Sequence, residues 1–206
     1  FLKKAQDLIR EAGGICIADE VQIGFGRIGT HFWGFEYHGV EPDIVTLGKS
    51  IGNGHPLSVV ITSRQIADNF NNGMEYFNSF GGNPVSAAIG HEVLRVIKEE
   101  KLQQNASLVG SSLKSMLMEL KNIHDIIGDV RGEGLFLGIE IVDNKKSLKP
   151  LTKTAKTIVN KMKDHGVLLS TDGPENNVIK IKPPMVFNSA NAEFLIESLH
   201  SIFSKI

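Results

Sequence analysis

Hydrophobic positions recur along the chain with two spacings, one typical of helices and one typical of buried strands. Helical spacing of apolar residues predicts helices over residues 1–12, 64–70, 83–100, 102–122, 152–165 and 189–204. Short apolar runs predict strands at 15–21, 43–49, 57–63, 167–171 and 178–183. Strands that are apolar on both faces are typical of a sheet covered by helices on both sides. The first half is therefore expected to form an α/β layer with buried strands.

The order of elements changes near Lys101, between two long helical patterns. The stretch DVRGEGLFLGIEIV (129–142) follows, and helices and strands then alternate to the end of the sequence. This second half predicts a compact α+β unit. We therefore expect two domains, covering 1–99 and 100–206.

The composition is that of an ordinary globular protein, with 41% hydrophobic residues, 22% charged residues and a net charge of −1. That balance gives no electrostatic reason to expect nucleic acid or an anionic membrane as a partner. No apolar run is long enough to cross a bilayer. Cys16 is the only cysteine, which excludes an intrachain disulfide framework. The histidines lack metal-ligand spacing, so no metal site is predicted.

Two polar residues, Asp19 and Lys49, end apolar runs of the first half. Both are expected at the carboxyl edge of one sheet, where ligands bind in open α/β folds. Asp19, expected to be partly buried, either caps a turn or holds a cationic ligand atom. Lys49 is either a surface charge or an amine in a closed site. An acid and a lysine facing one cavity suit pyridoxal phosphate (PLP), whose aldehyde bonds the amine while the carboxylate pairs with the ring nitrogen.

Four ordered motifs resemble the signatures of class III (ornithine and GABA type) aminotransferases: IADEVQIGFGRIG, PDIVTLGKSIGNGHPLSVVIT, NSFGGNPVSAA and DVRGEGLFLGIE. The resemblance implies an α/β fold of fold-type I, the PLP-dependent transferases. Residues 1–99 would be the C-terminal part of the PLP-binding large domain, and 100–206 a C-terminal α+β small domain. The stretch GVLLSTDGPENNVIKIKPPMVF is similar to the alanine–glyoxylate aminotransferase 2-like branch. That branch includes phospho-lyases acting on ethanolamine phosphate and on 5-phosphohydroxylysine.

The resemblance implies cofactor-binding roles for residues in the first three motifs. Lys49 would be the catalytic Schiff-base lysine and proton carrier, and Asp19 the partner of the pyridinium nitrogen. Val21 would pack beneath the ring, and Gln22 would hydrogen-bond its phenolic oxygen. Ser79 stands where the family usually has a threonine, whose hydroxyl reaches the cofactor phosphate of the neighbouring subunit. Serine keeps that donor.

Outside the cofactor set, Arg131 matches the arginine that takes the substrate α-carboxylate, and a structural loop arginine is the alternative. Glu20 and Arg27 are expected to fix the loop after the first strand rather than to contact substrate. The family's glycine-rich phosphate loop and ring-stacking aromatic lie upstream of the lysine, and no stretch here matches them. We therefore expect a C-terminal fragment of a longer chain.

The leading hypothesis is a PLP-dependent enzyme acting on an amine or amino acid. An alanine–glyoxylate type transaminase and a phospho-lyase use the same acid, lysine and ring, so the motifs do not distinguish these two reactions. The stretch GVLLSTDGPENNVIKIKPPMVF in the second half favours the phospho-lyase. A third hypothesis is a non-catalytic protein that keeps the fold, and the presence of both Asp19 and Lys49 argues against it. The family implies a homodimer or homotetramer and a mitochondrial location, with a cytoplasmic one as the alternative.

Overall fold

The computed structural model describes residues 1–206, which divide into two compact units. The first unit contains residues 1–26 and 30–103, and the second contains residues 27–29 and 104–206. The assignment of 1–99 to a large domain and 100–206 to a small domain stays a prediction. No helix in the described chain is long and apolar enough to cross a membrane.

The first unit contains a three-stranded sheet with the order β1-β2-β3. Its strands are β1 (Ile17–Asp19), β2 (Ile44–Leu47) and β3 (Val59–Thr62). β1 is parallel to β2, and β3 is antiparallel to it. The helices are α1 (Leu2–Glu11), α2 (Gly34–Tyr37), α3 (Arg64–Phe70) and α4 (Pro84–Glu99). The predicted cap of α4 is confirmed, since Asn83 Oδ1 accepts the N–H of Ser86 at 2.8 Å.

The core of the first unit is small and lies on one side of the sheet. Its buried apolar side chains are those of Phe25, Leu47, Ile51 and Ile97. The burial predicted for the strands was wrong for much of their length: Ile17 in β1 is 59% exposed and Val60 in β3 is 66% exposed. An apolar run predicts a strand, but whether a second layer covers that strand depends on residues far away in sequence. More than half of the surface of each of these two residues is open to solvent in this chain.

The second unit contains a four-stranded antiparallel sheet with the order β4-β5-β7-β6. Its strands are β4 (Ile127–Glu133), β5 (Phe136–Ile141), β6 (Ser170–Asp172) and β7 (Val178–Ile181). The helices are α5 (Leu102–Ile123), which begins within the first unit, α6 (Thr152–Asp164) and α7 (Ser189–Phe203).

The second unit has the larger hydrophobic core, and a glycine on α5 allows that helix to approach the β4–β5 turn closely. Leu113 and Leu117 of α5 are fully buried with Ile139 of the sheet. An added Cβ at Gly110 would stand 2.3 Å from the backbone of Gly134 in the β4–β5 turn, so only glycine fits there.

Candidate active site

The candidate site begins at the carboxyl ends of β1 and β2, which are adjacent parallel strands. In their register Ala18 pairs with Val45 and Asp19 pairs with Thr46. The N–H of Glu20 donates to the carbonyl of Thr46 at 3.0 Å, which fixes the point where β1 ends. Because both strands end at the same edge, the residues that follow them leave the sheet side by side.

The carboxylate of Asp19 is held through one of its two oxygens. Its Oδ1 accepts the backbone N–H of Val21 at 3.1 Å and the hydroxyl of Thr46 at 3.4 Å. Its Oδ2 accepts no hydrogen bond from the chain. The side chain is therefore oriented and still has one oxygen able to accept a proton donor from a ligand.

Lys49 follows the end of β2 and Gly48, and it opens a 3₁₀ turn (Lys49–Ile51). Its Nζ donates to Oε1 of Gln22 at 3.4 Å. An added Cβ at Gly48 would lie 3.3 Å from Val21, so the two loops are in close contact. Lys49 has a φ of 37°, a left-handed conformation that is strained for a non-glycine residue and is often found at functional sites.

The structure places Asp19 and Lys49 at the same edge of the sheet, as their positions in the sequence predict, and Val21 and Gln22 contact the residues around them. The cofactor-binding roles of all four residues stay predictions. The partial burial expected for Asp19 is wrong, because its side chain is exposed, and Lys49 is exposed as well. These two side chains are therefore open to solvent in this chain.

Ser79 forms no hydrogen bond with the residues of this cluster. It is exposed, in the segment 71–82, which has no helix or strand. The turn around it is set by its neighbour Asn78, whose Oδ1 accepts the N–H groups of Phe80 and Gly81 at 3.0 Å each. Its contact with a cofactor phosphate stays a prediction.

Arg131 lies in β4 of the second unit, in a strand and not in a loop. Its guanidinium donates to the carboxylates of Glu140 and of Asp129, the latter at 3.1 Å. The hydrogen bond to Glu140 raises the pKa of Arg131 above its usual value. The arginine is therefore already paired on its own hairpin, and its contact with a substrate carboxylate stays a prediction.

The loop after β1 is fixed by Glu20 and Arg27, as predicted. Glu20 is buried, and its carboxylate accepts the backbone N–H groups of Gly34 at 2.9 Å and Phe35 at 2.8 Å. Arg27 donates to the carbonyls of Leu135 at 3.2 Å and Pro183 at 2.7 Å within the second unit. Burial lowers the pKa of Arg27 from its usual value.

Sequence reasoning missed two sets of residues near the cluster. Thr46 bonds Asp19, and its position opposite Asp19 depends on strand register, which the sequence does not show. His55, Asn83 and Ser86 form a hydrogen-bonded network that starts six residues after Lys49. The only signal for that network in the sequence is the polar character of its members.

The chemistry of the cluster fits PLP. Lys49 supplies a primary amine that can bond an aldehyde, and Asp19 supplies an unengaged carboxylate oxygen that can pair with a protonated ring nitrogen. Gln22 supplies an amide 3.4 Å from the amine, able to bond a phenolic oxygen beside the aldehyde. These are the residues that could hold the cofactor in this chain.

Known proteins resemble the chain over its whole length. The family model described as Aminotransferase class-III matches residues 1–203. The protein "Alanine–glyoxylate aminotransferase 2-like" of Drosophila melanogaster is 53% identical over 199 residues, covering 95% of this chain and 40% of that protein. The protein "Alanine–glyoxylate aminotransferase 2 homolog 2, mitochondrial" of Arabidopsis thaliana is 50% identical over 206 residues, covering 100% of this chain and 43% of that protein.

A solved structure gives the same result for the fold. A phospholyase from Arthrobacter in complex with phosphoethanolamine superimposes with a TM-score of 0.96 at 39% identity, covering 100% of this chain and 49% of that one. The predicted α/β architecture of fold-type I is confirmed by this superposition, although the chain spans less than half the length of each of these relatives. A family match over residues 1–203, together with relatives half identical in sequence, shows that the chain belongs to the class III aminotransferases, a family of PLP-dependent enzymes.

Proposed function

We propose that this protein is a PLP-dependent enzyme that acts on a small amine or amino acid. The observation that carries the proposal is the cluster at the ends of β1 and β2, where Lys49 Nζ lies 3.4 Å from Gln22 and Asp19 ends the neighbouring strand. When bound, PLP supplies a ring that accepts electrons from the substrate carbon beside the amine nitrogen.

Each residue of the cluster has a separate task. Lys49 would hold the cofactor aldehyde through Nζ and would act as the general base that carries the substrate proton. Asp19 would pair with the protonated ring nitrogen through Oδ2, since Oδ1 is held by Val21 and Thr46. The Val21 side chain would support the ring face, and Gln22 would hydrogen-bond the phenolic oxygen.

Ser79 supports the further proposal of a homodimer or homotetramer. Its hydroxyl is exposed and takes part in no hydrogen bond of the cluster in its own chain. A hydroxyl presented in this way suits a cofactor phosphate held by a neighbouring subunit. Light scattering of the protein with and without Ser79→Ala, together with the PLP affinity of each, tests this: the alanine variant is expected to stay oligomeric and to bind PLP more weakly.

Phospho-lyase chemistry is the preferred reaction, on ethanolamine phosphate or 5-phosphohydroxylysine. Elimination of phosphate from the substrate, followed by hydrolysis, would yield an aldehyde and ammonia. The similarity to the Arthrobacter phospholyase supports it. The pairing of Arg131 with Asp129 and Glu140 is compatible with ethanolamine phosphate, which has no carboxylate for that arginine to bind, whereas 5-phosphohydroxylysine has one.

An alanine–glyoxylate transaminase is the second candidate, supported by the names of the Drosophila and Arabidopsis relatives. In that reaction the amino group moves to a keto acid, and Arg131 would have to leave its carboxylate partners to bind the substrate. The name of the Arabidopsis relative also supports a mitochondrial location, which imaging of the tagged protein would test.

The deciding experiment adds PLP to the protein and follows the visible absorbance of lysine-bound cofactor. The wild type is expected to gain the band and Lys49→Ala to lack it. A band of equal strength in Lys49→Ala would refute the role of this lysine. Phosphate release from ethanolamine phosphate and 5-phosphohydroxylysine is then assayed beside alanine–glyoxylate transfer. Amino transfer without phosphate release would reverse the preference for the lyase.

A further inference from the structure

The turn that carries Lys49 continues without interruption to His55. Three backbone hydrogen bonds follow one another: Ile51 N–H to Gly48 O at 3.1 Å, Asn53 N–H to Ser50 O at 3.2 Å, and His55 N–H to Gly52 O at 2.9 Å. An added Cβ at Gly52 would stand 2.0 Å from the carbonyl oxygen of His55, so the last turn is very tight. Movement of His55 would therefore be transmitted towards Lys49.

Two non-glycine residues of this turn have left-handed backbone conformations. Lys49 has a φ of 37° and Asn53 a φ of 44°, both in the left-handed region, and Gly54 has a φ of 101°. Left-handed conformations at non-glycine residues persist only where surrounding contacts hold them. The turn needs an anchor at its far end, and the side chain of His55 provides one.

His55 is anchored to the first turn of α4. Its Nε2 lies 2.7 Å from Oγ of Ser86, which is 8% exposed. Ser86 is itself fixed by Asn83, whose Nδ2 donates to the same Oγ at 3.0 Å and whose Oδ1 accepts the Ser86 N–H at 2.8 Å. These side chains line a cavity of about 920 Å³, and His55 is half-buried.

The same network reaches the segment that carries Ser79. Asn83 Nδ2 also donates to the carbonyl of Phe80 at 2.8 Å, one residue beyond Ser79. A single set of hydrogen bonds thus connects the turn after Lys49 to the segment containing the other residue with a proposed cofactor contact.

We infer that His55 is a positioning residue: through Ser86 and Asn83 it holds both the turn that presents Lys49 and the segment that presents Ser79. The inference rests on the proposed function, because it takes both residues to contact PLP. Loss of the bond would let the strained turn relax. PLP affinity would then fall although no group in contact with the cofactor had changed.

The experiment compares three histidine variants of the full protein. His55→Leu removes the bond, His55→Gln places an amide near the position of Nε2, and His91→Leu changes an exposed histidine of α4 as the control. Two quantities are measured: hydrogen exchange at the amides of Asn53 and His55 (residue 55 in each variant) without PLP, and the Kd for PLP from the visible absorbance. If His55→Leu fails to fold, Ser86→Ala removes the same bond from the helix side.

We expect His55→Leu to speed exchange in the turn and to weaken the PLP Kd about tenfold, which corresponds to the loss of one part-buried hydrogen bond. His55→Gln should restore both values to near wild type, and His91→Leu should change neither. Unchanged exchange and affinity in His55→Leu would overturn the inference, as would equal losses in the leucine and glutamine variants. If the wild type binds no PLP, the proposed function fails, while exchange in the unloaded protein still decides whether His55 holds the turn.

Discussion

Removal of the Glu20 carboxylate should destabilise the loop that follows β1. Glu20 is 3% exposed, and each of its oxygens accepts one backbone N–H, from Gly34 at 2.9 Å and from Phe35 at 2.8 Å. Both donors belong to the start of the short helix α2, where N–H groups have no partner within the helix. The carboxylate therefore satisfies one buried amide and one part-buried amide that have no other partner.

The size of the effect follows from these two bonds. A hydrogen bond to a charged group contributes about 1.5–3 kcal/mol, and an abandoned buried donor costs a similar amount. Glu20→Ala should therefore lower the free energy of unfolding of the first unit by about 3–5 kcal/mol. Glu20→Gln keeps one acceptor but turns an NH₂ group towards the other amide, and should cost about 1.5–3 kcal/mol.

Trp33, the only tryptophan, makes this measurable by fluorescence in urea. Its ring packs edge-on against Phe25 at 5.4 Å and Phe32 at 4.7 Å between centroids, so it reports on this loop. The control is Glu36→Ala, which removes an exposed carboxylate that accepts one N–H, that of Trp33 at 3.0 Å. If Glu20→Ala costs no more than this control, or if Glu20→Gln equals the wild type, the account of the loop is refuted.

Three further predictions concern the second unit. Leu117→Ala should cost about 2–5 kcal/mol in urea unfolding because Leu117 is fully buried, whereas Met118→Ala, exposed on the same helix, should cost much less; equal losses would contradict the core described. Gly110→Ala forces a Cβ to within 2.3 Å of the Gly134 backbone and should cost about 1–3 kcal/mol by overpacking, so an unchanged urea midpoint would contradict the contact. Burial holds the pKa of the His124 imidazole in the folded protein below its usual value of 6.5. The contribution of neutral His124 to stability is therefore complete above pH 6.5 and is lost as the pH falls through the lower pKa of the folded protein. The urea midpoint should therefore fall on acidification less steeply in His124→Gln than in the wild type, and equal slopes would contradict the sign.

The helices could be predicted from the sequence because their ends carry local signals. Asn83 and Pro84 mark the start of α4, and the predicted range 64–70 matches α3 (Arg64–Phe70). Caps and fixed φ angles act within a few residues, so a single sequence contains them. The burial of the strands could not be predicted in this way, as exposed Ile17 and Val60 show.

The positions of Asp19 and Lys49 in the candidate site could be predicted from the sequence. Asp19 and Lys49 lie at the same edge of the sheet because two parallel strands end there, which is a general property of such sheets. The contact of His55 with Ser86 joins residues 31 positions apart, and no periodicity marks it. Side-chain contacts of this kind depend on the packed structure, and they become visible only in coordinates.

Residues 27–29 affect any attempt to produce the second unit as a separate protein. They precede most of the first unit in sequence but belong to the second, where Arg27 donates to the carbonyls of Leu135 and Pro183. The polypeptide therefore passes between the units after residues 26, 29 and 103. A cut at 103/104 would deprive both carbonyls of their donor, so an independent second unit would require residues 27–29 to be grafted back by circular permutation or a linker.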